Sequence, residues 1–171
     1  MINNPITLCI NNIADGINDM PNYDIPSLIE QLGDLEGFMR VHSRKMLIDI
    51  GKPAVPELIN TLSNDISQIR WQVIKVLESL REASAIPALI ERLKDNNAGV
   101  RWAASEALIA LHQEAIPVLL KALKGDIESL WLRQGAHRIL RVMKEAGRLN
   151  QMEVKVLSAL EDSNPSITVP V

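Results

Sequence analysis

A proline that returns at a fixed interval constrains this 171-residue chain more than any other feature. Pro26, Pro56, Pro87 and Pro117 are separated by 30, 31 and 30 residues, and each follows Ile or Val. The same apolar pattern follows every one of them: Leu28-Ile29-Leu32, Leu58-Ile59-Leu62, Leu89-Ile90-Leu93 and Leu119-Leu120-Leu123. Eight residues beyond the first three prolines stand Asp34, Asn64 and Asp95; the fourth copy has Gly125 there, with Asp126 beside it. Fourteen residues beyond the first three prolines stand Arg40, Arg70 and Arg101. The fourth copy carries two extra residues, so its arginine is Arg133, sixteen residues on. A period of this length, with two apolar segments per copy, describes two-helix units that stack because neither helix can bury its apolar face alone.

The residue types suit such a unit. Proline presets a helical φ and needs no donor at a helix start. Asp or Asn in the polar break can cap the second helix. Small residues there, Ala103, Ala104, Ala107, Gly135 and Ala136, let a neighbouring helix approach closely. Aromatic residues are only 3% of the chain, so the core must be aliphatic.

In chain order, residues 1–22 follow an Asn4-Pro5 start signal and place Leu8, Ile13, Ile17 and Met20 near one helical face, with Cys9 packing as a small hydrophobe. They are expected to form an N-terminal cap. Four helix pairs are expected over 25–147, with breaks at Gly51-Lys52-Pro53, at 81–84 and at 112–114. A cap helix over 149–162, apolar at Val154, Val156, Leu157 and Leu160, would cover the end, and 163–171 reads as a flexible tail. The expected domain is one unit, 1–162.

The run Ala85-Ile86-Pro87-x-Leu89, followed by Asp95-x(4)-Val100-Arg101-x-x-Ala104-x-x-Ala107-Leu108, resembles the short HEAT repeat of the type also found in phycobilisome lyases. The resemblance covers roughly 25–147 and is sharpest in the third copy. It implies an all-α solenoid, a right-handed superhelix of about four helix pairs with helical caps. It also implies an Asp/Arg ladder between neighbouring repeats, carried here by Asp34, Asp95, Arg40, Arg70, Arg101 and Arg133. Asn64 departs from the pattern, which would break the ladder or shift it to Asp65.

No catalytic constellation is present. The sequence lacks a glycine-rich phosphate loop, a His-Glu-x-x-His and a Gly-x-Ser-x-Gly. His42, His112 and His137 fall in different repeats without ligand spacing, so no catalytic, cofactor or metal residue is expected. The single cysteine excludes an intramolecular disulfide. The net charge of −3 disfavours nucleic-acid binding, which usually rests on a basic excess. No apolar run is long enough to span a membrane, and the Met-Ile-Asn-Asn start lacks a secretory n-region. A soluble, cytoplasmic protein is expected.

Helical phase points to a binding face. At about 100° per residue, Ala104, Ala107 and Leu111 return to the side of Val100, whereas Trp102, Ser105, Glu106 and Ile109 fall near the opposite side. The matching positions are Val41, Arg44, Lys45 and Ile48 in the first copy. They are Trp71, Ile74, Lys75 and Glu78 in the second, and Gln134, His137, Arg138 and Arg141 in the fourth. In a HEAT stack the second helices form the concave wall. Partner binding is therefore assigned to Trp71, Ile74, Lys75, Trp102, Ile109, His137, Arg138 and Arg141, since tryptophan beside aliphatic residues and arginine is the make-up of an interface hot spot. Trp131 falls in the two-residue insertion, where phase does not orient it.

Charge is uneven. Residues 1–39 hold six acids and no Lys or Arg, while 133–148 carry Arg133, Arg138, Arg141, Lys144 and Arg148 against Glu145. The expected function is a non-enzymatic scaffold or adaptor. Its partner would be another protein, offering an acidic segment to the basic end, or a second copy of the chain. The alternative is a lyase-like protein handling a bilin chromophore, as the family resemblance implies. A third and weaker reading is DNA binding in the manner of HEAT-like alkylpurine DNA glycosylases, against which Glu78 and Glu106 interrupt the face.

Overall fold

The computed structural model describes residues 24–163, which form nine α-helices and no strand. The expected N-terminal cap, Cys9 included, lies outside the described residues, as does the tail beyond Ser163. The first helices are α1 (Ile25–Gln31), α3 (Val55–Thr61), α5 (Ile86–Arg92) and α7 (Ala115–Gly125). Their partners are α2 (Gly37–Ile50), α4 (Ser67–Leu80), α6 (Ala98–Ala110) and α8 (Leu130–Glu145). A last helix, α9 (Gln151–Ser163), packs on α8 and buries Leu157 and Leu160. This is the expected all-α solenoid of four helix pairs.

The repeated residues explain the repeated geometry. Pro26, Pro56 and Pro87 are the second residues of α1, α3 and α5, where a missing N–H is harmless. Just beyond the second helices the chain turns with positive φ at Gly51 (74°), Arg81 (53°), His112 (55°) and Gly147 (67°). Only two of these are glycine; the stack imposes the turn on the other two. A single turn of 3₁₀ helix (Lys52–Ala54, Ala83–Ala85, His112–Glu114) then leads into each following first helix.

The polar breaks carry the expected Asn cap in the third repeat, at Asn97, while their first residue acts differently. Asp34, Asn64 and Asp95 each accept, through Oδ1, the N–H two residues on, at 2.7 Å from Glu36, 2.8 Å from Ile66 and 2.9 Å from Asn97. These are Asx turns that precede the helix. The side chain that caps the first turn of α6 is Asn97, which accepts from Gly99 and Val100.

Second helices pack on second helices along the whole stack, α2 on α4, α4 on α6 and α6 on α8. Small residues make this possible. Ala103, Ala104, Ala107 and Ala136 are wholly buried. At Gly135 an added Cβ would lie 2.9 Å from Leu93 Cδ2 and 3.3 Å from Leu93 Cβ. Gly135→Val should therefore overpack the junction and lower stability by about 1–3 kcal/mol, as read by urea denaturation followed by circular dichroism.

Candidate binding face

A second helix inside this stack meets its own first helix and the second helices on either side, so only a narrow stripe stays open. Three residues per repeat occupy it: Val41, Lys45 and Ile48; Trp71, Lys75 and Glu78; Trp102, Glu106 and Ile109; Gln134, Arg138 and Arg141. Val41 is 56% exposed and Trp102 50%, while Trp71, Ile48 and Ile109 are part-buried against the core.

The fourth residue read onto this face is turned away from it in three of the four repeats. Ile74 is fully buried, Ser105 and His137 are buried, and Arg44 is part-buried. Ile74 and His137 are therefore not available to a partner. The physical reason is lateral packing: at about 100° per residue this position lies only about 60° round from the middle of the open stripe, and that is enough to turn it toward a neighbouring helix instead of solvent. Two-sided amphipathicity does not register that third contact.

Charge along the stripe is largely matched. Lys75 pairs with Glu78, and Arg138 pairs with Glu106 from the preceding repeat while its guanidinium lies 5.2 Å from the Trp102 ring centroid. Arg141 sits 3.8 Å from Glu145, and Arg148 hydrogen-bonds His112. Of the basic residues read from the sequence at this end, Arg138 and Arg141 therefore have a carboxylate beside them, and Arg148 has the His112 ring. His137 faces α9, with Nε2 3.7 Å from Glu161. Burial pushes its pKa down, the Arg141 charge adds to that, and Glu161 only partly offsets both.

The Asp/Arg ladder has one complete rung. Arg70 donates from Nε and Nη2 to the two carboxylate oxygens of Asp95, at 2.8 and 2.7 Å, joining the second repeat to the third. It also donates to the Asn64 and Asp65 carbonyls in the polar break of its own repeat. Both residues are buried. Burial alone would raise the Asp95 carboxyl, but the Arg70 hydrogen bonds, the Asn97 N–H and the nearby Arg70 and Arg92 charges outweigh it and hold the pKa below the usual carboxylate range.

The other ladder positions keep half of this arrangement. Arg40 binds the Asp34 and Leu35 carbonyls, and Arg101 binds those of Asp95 and Asn96. Neither is given a carboxylate by the next repeat, because Asn64 and Gly125 stand in its place. Arg101 instead lies over the Trp131 ring, 3.7 Å from its centroid, and Lys94 pairs with Asp126 at 3.3 Å. The insertion that hid Trp131 from helical phase thus supplies a substitute rung. Among the described residues the Asp34 carboxylate is engaged only in its Asx turn, and Arg133 Nε is buried without a partner.

Sequence reasoning missed a groove of about 530 Å³ across the starts of α2, α4 and α6. Arg40, Arg44, Val41 and Trp71 line it together with the first residues of α2 and α4, and no lining residue is acidic. The N-caps of α2 and α4, Glu36 and Ile66, give no side-chain hydrogen bond, so no side chain caps the first turn of either helix. Gln72, only 4% exposed, also lines the groove, and its Oε1 has no hydrogen-bond partner. The available signal was a glutamine at a position filled by alanine and glycine in the next two copies, Ala103 and Gly135. Among the described residues there is no cluster of three His, Cys, Asp or Glu able to hold a metal ion, and no helix long and apolar enough to cross a membrane.

Two stability predictions follow from these environments. Asp95→Asn leaves the Arg70 charge buried without its counter-ion and should cost about 3–5 kcal/mol in chemical denaturation. For His137 the unfolded chain takes up its proton near pH 6.5 and the folded chain only at lower pH. Its contribution is therefore complete above about pH 6.5 and declines as the pH falls. Thermal melts from pH 8 to pH 5 should show a shallower acid-side loss for His137→Gln than for the wild type.

Comparison with known families agrees with this geometry. The model for HEAT repeats matches residues 25–109, and the model for the PBS lyase HEAT-like repeat matches 100–125. Comparison with curated proteins gives no match. With both models falling on the helix pairs and their register, from the first pair into the fourth, the chain belongs to the HEAT-repeat family.

Proposed function

We propose that this chain is a non-catalytic protein-binding scaffold that engages its partner on the open stripe of its second helices. The observation that carries the reading is the row Val41, Trp71, Trp102. These apolar side chains hold the same position on three successive parallel helices, and two of them are at least half exposed. The packing of the stack does not require that exposure, and apolar residues held in line on a rigid surface are suited to a partner segment crossing the repeats. Trp102 is the centre of the row, flanked by the matched pair Arg138–Glu106.

The test places a photo-crosslinking amino acid at position 102 and, as a control, at the exposed Glu57 on α3. Crosslinked partners are expected from position 102 and not from 57, and Trp102→Ala should reduce their capture at unchanged melting temperature. Equal crosslinking from both positions would overturn the reading.

The match to the PBS lyase HEAT-like repeat over 100–125 favours one second reading, the handling of a linear tetrapyrrole on the same face. A shift in the absorbance spectrum of biliverdin on mixing with the protein, lost in Trp102→Ala, is the result that would favour it over protein binding.

A further inference from the structure

We propose that residues 9–20 take the place of a second helix from a preceding repeat and close the open face of α2. This docking is independent of what the stripe binds.

The repeat register defines the face. An added Cβ at Gly33 would lie 2.9 Å from Ile69 Cδ1, and one at Gly135 the same distance from Leu93 Cδ2. Ile69 of α4 and Gly135 of α8 therefore both look back at the preceding repeat. The same two positions in α2 are Met39 and His42, and Met46 lies one turn on. In α4 the three matching residues, Ile69, Gln72 and Val76, are buried. In α2 all three are only part-buried, and Phe38, 68% exposed, stacks on the His42 ring. Among the described elements α2 packs on α1, on α4 and on the 3₁₀ turn that follows it, and no described element precedes α1 in the chain.

The period names the occupant. Thirty residues back from α2, the wholly buried row Leu47, Leu77, Leu108, Leu140 continues at Ile17. The row Ser43, Val73, Ala104, Ala136, also wholly buried, continues at Ile13. The position turned toward a neighbouring second helix, Ile74 in α4 and Ser105 in α6, falls on Ala14, a residue small enough for close approach. Residues 21–24 then span the gap to Ile25, and the gaps 51–54 and 111–114 have the same length. The departure is Pro21, which stands where Gly51, Arg81 and His112 take a positive φ that proline cannot adopt; Asn22 beside it can. A segment tethered at Asp24 also holds a local concentration that a second copy matches only at the order of millimolar. In this register Asn11 and Asn18 fall on the stripe, so its apolar row begins at Val41.

Cys9, the single cysteine, supplies the test without any substitution, because a nitroxide attached to the full chain labels that position alone. In ¹H–¹⁵N spectra the paramagnetic broadening on α2 should be strongest at the Met39 and His42 amides, which lie level with Cys9 in the register, and should fall off toward Ile50. It should be absent when ¹⁵N protein without the nitroxide is mixed with nitroxide-bearing protein of natural isotope content. Broadening of α2 that arises only in that mixture would overturn the assignment in favour of a second copy. Broadening strongest at Ile50, or none on α2, would overturn it outright. Ile17→Ser should also lower the melting temperature by roughly 5 °C or more, while Asn18→Ser leaves it unchanged. Equal melting temperatures for the two variants would count against the docking as firmly as a silent α2.

Discussion

A two-helix unit whose second helix is apolar or small around most of its circumference is stable only between neighbours. In this chain the second helices touch one another directly, and that contact sets almost everything else. It dictates the alanines of α6 and the glycine at position 135, since a larger residue would hold the helices apart. It buries Ile74 and Ser105, which a solitary amphipathic helix would show to water, and α9 covers His137 in the same way at the end of the stack. It also leaves each second helix a single open stripe, and these stripes line up from repeat to repeat.

The arginines show how a repeat can lose part of a motif and keep its shape. The position that starts each polar break serves two purposes. Its side-chain oxygen closes an Asx turn in the first three repeats, and its charge meets the preceding arginine only at Asp95. Asparagine serves the first purpose as well as aspartate, so Asn64 leaves the turn intact while the rung disappears. In the fourth repeat both functions are gone at Gly125, and a ring stacked under Arg101 and the Lys94–Asp126 pair hold the junction instead.

The architecture was legible in the sequence because a period of 30 residues, fixed by proline and followed by the same aliphatic spacing, leaves few alternatives. Helix pairs, breaks and the small residues at the junctions follow from local chemistry. The exposed stripe was legible only in part. Helical phase alone separates a core side from an outer side, and it correctly turns Trp102 outward. It does not know that a second helix is flanked on both sides, which is why Ile74 and His137 read as surface residues. The groove was illegible for a related reason. Gly37, Arg44, Ser67 and Gln72 belong to two repeats, and only the stacking distance brings them together.

The joints between repeats are unequal, and this gives the stack a mechanical character. The joint between the second and third repeats is clamped by a buried bidentate ion pair, and the next joint by a stacked ring and two surface pairs. The joint between the first and second repeats has apolar packing but no carboxylate for Arg40, because Asn64 stands opposite. Regarded as a spring, the chain is stiff along its middle and compliant at its beginning. Bending strain applied to the solenoid concentrates where α2 meets α4, and the width of the opening between those two helices is the dimension that changes first.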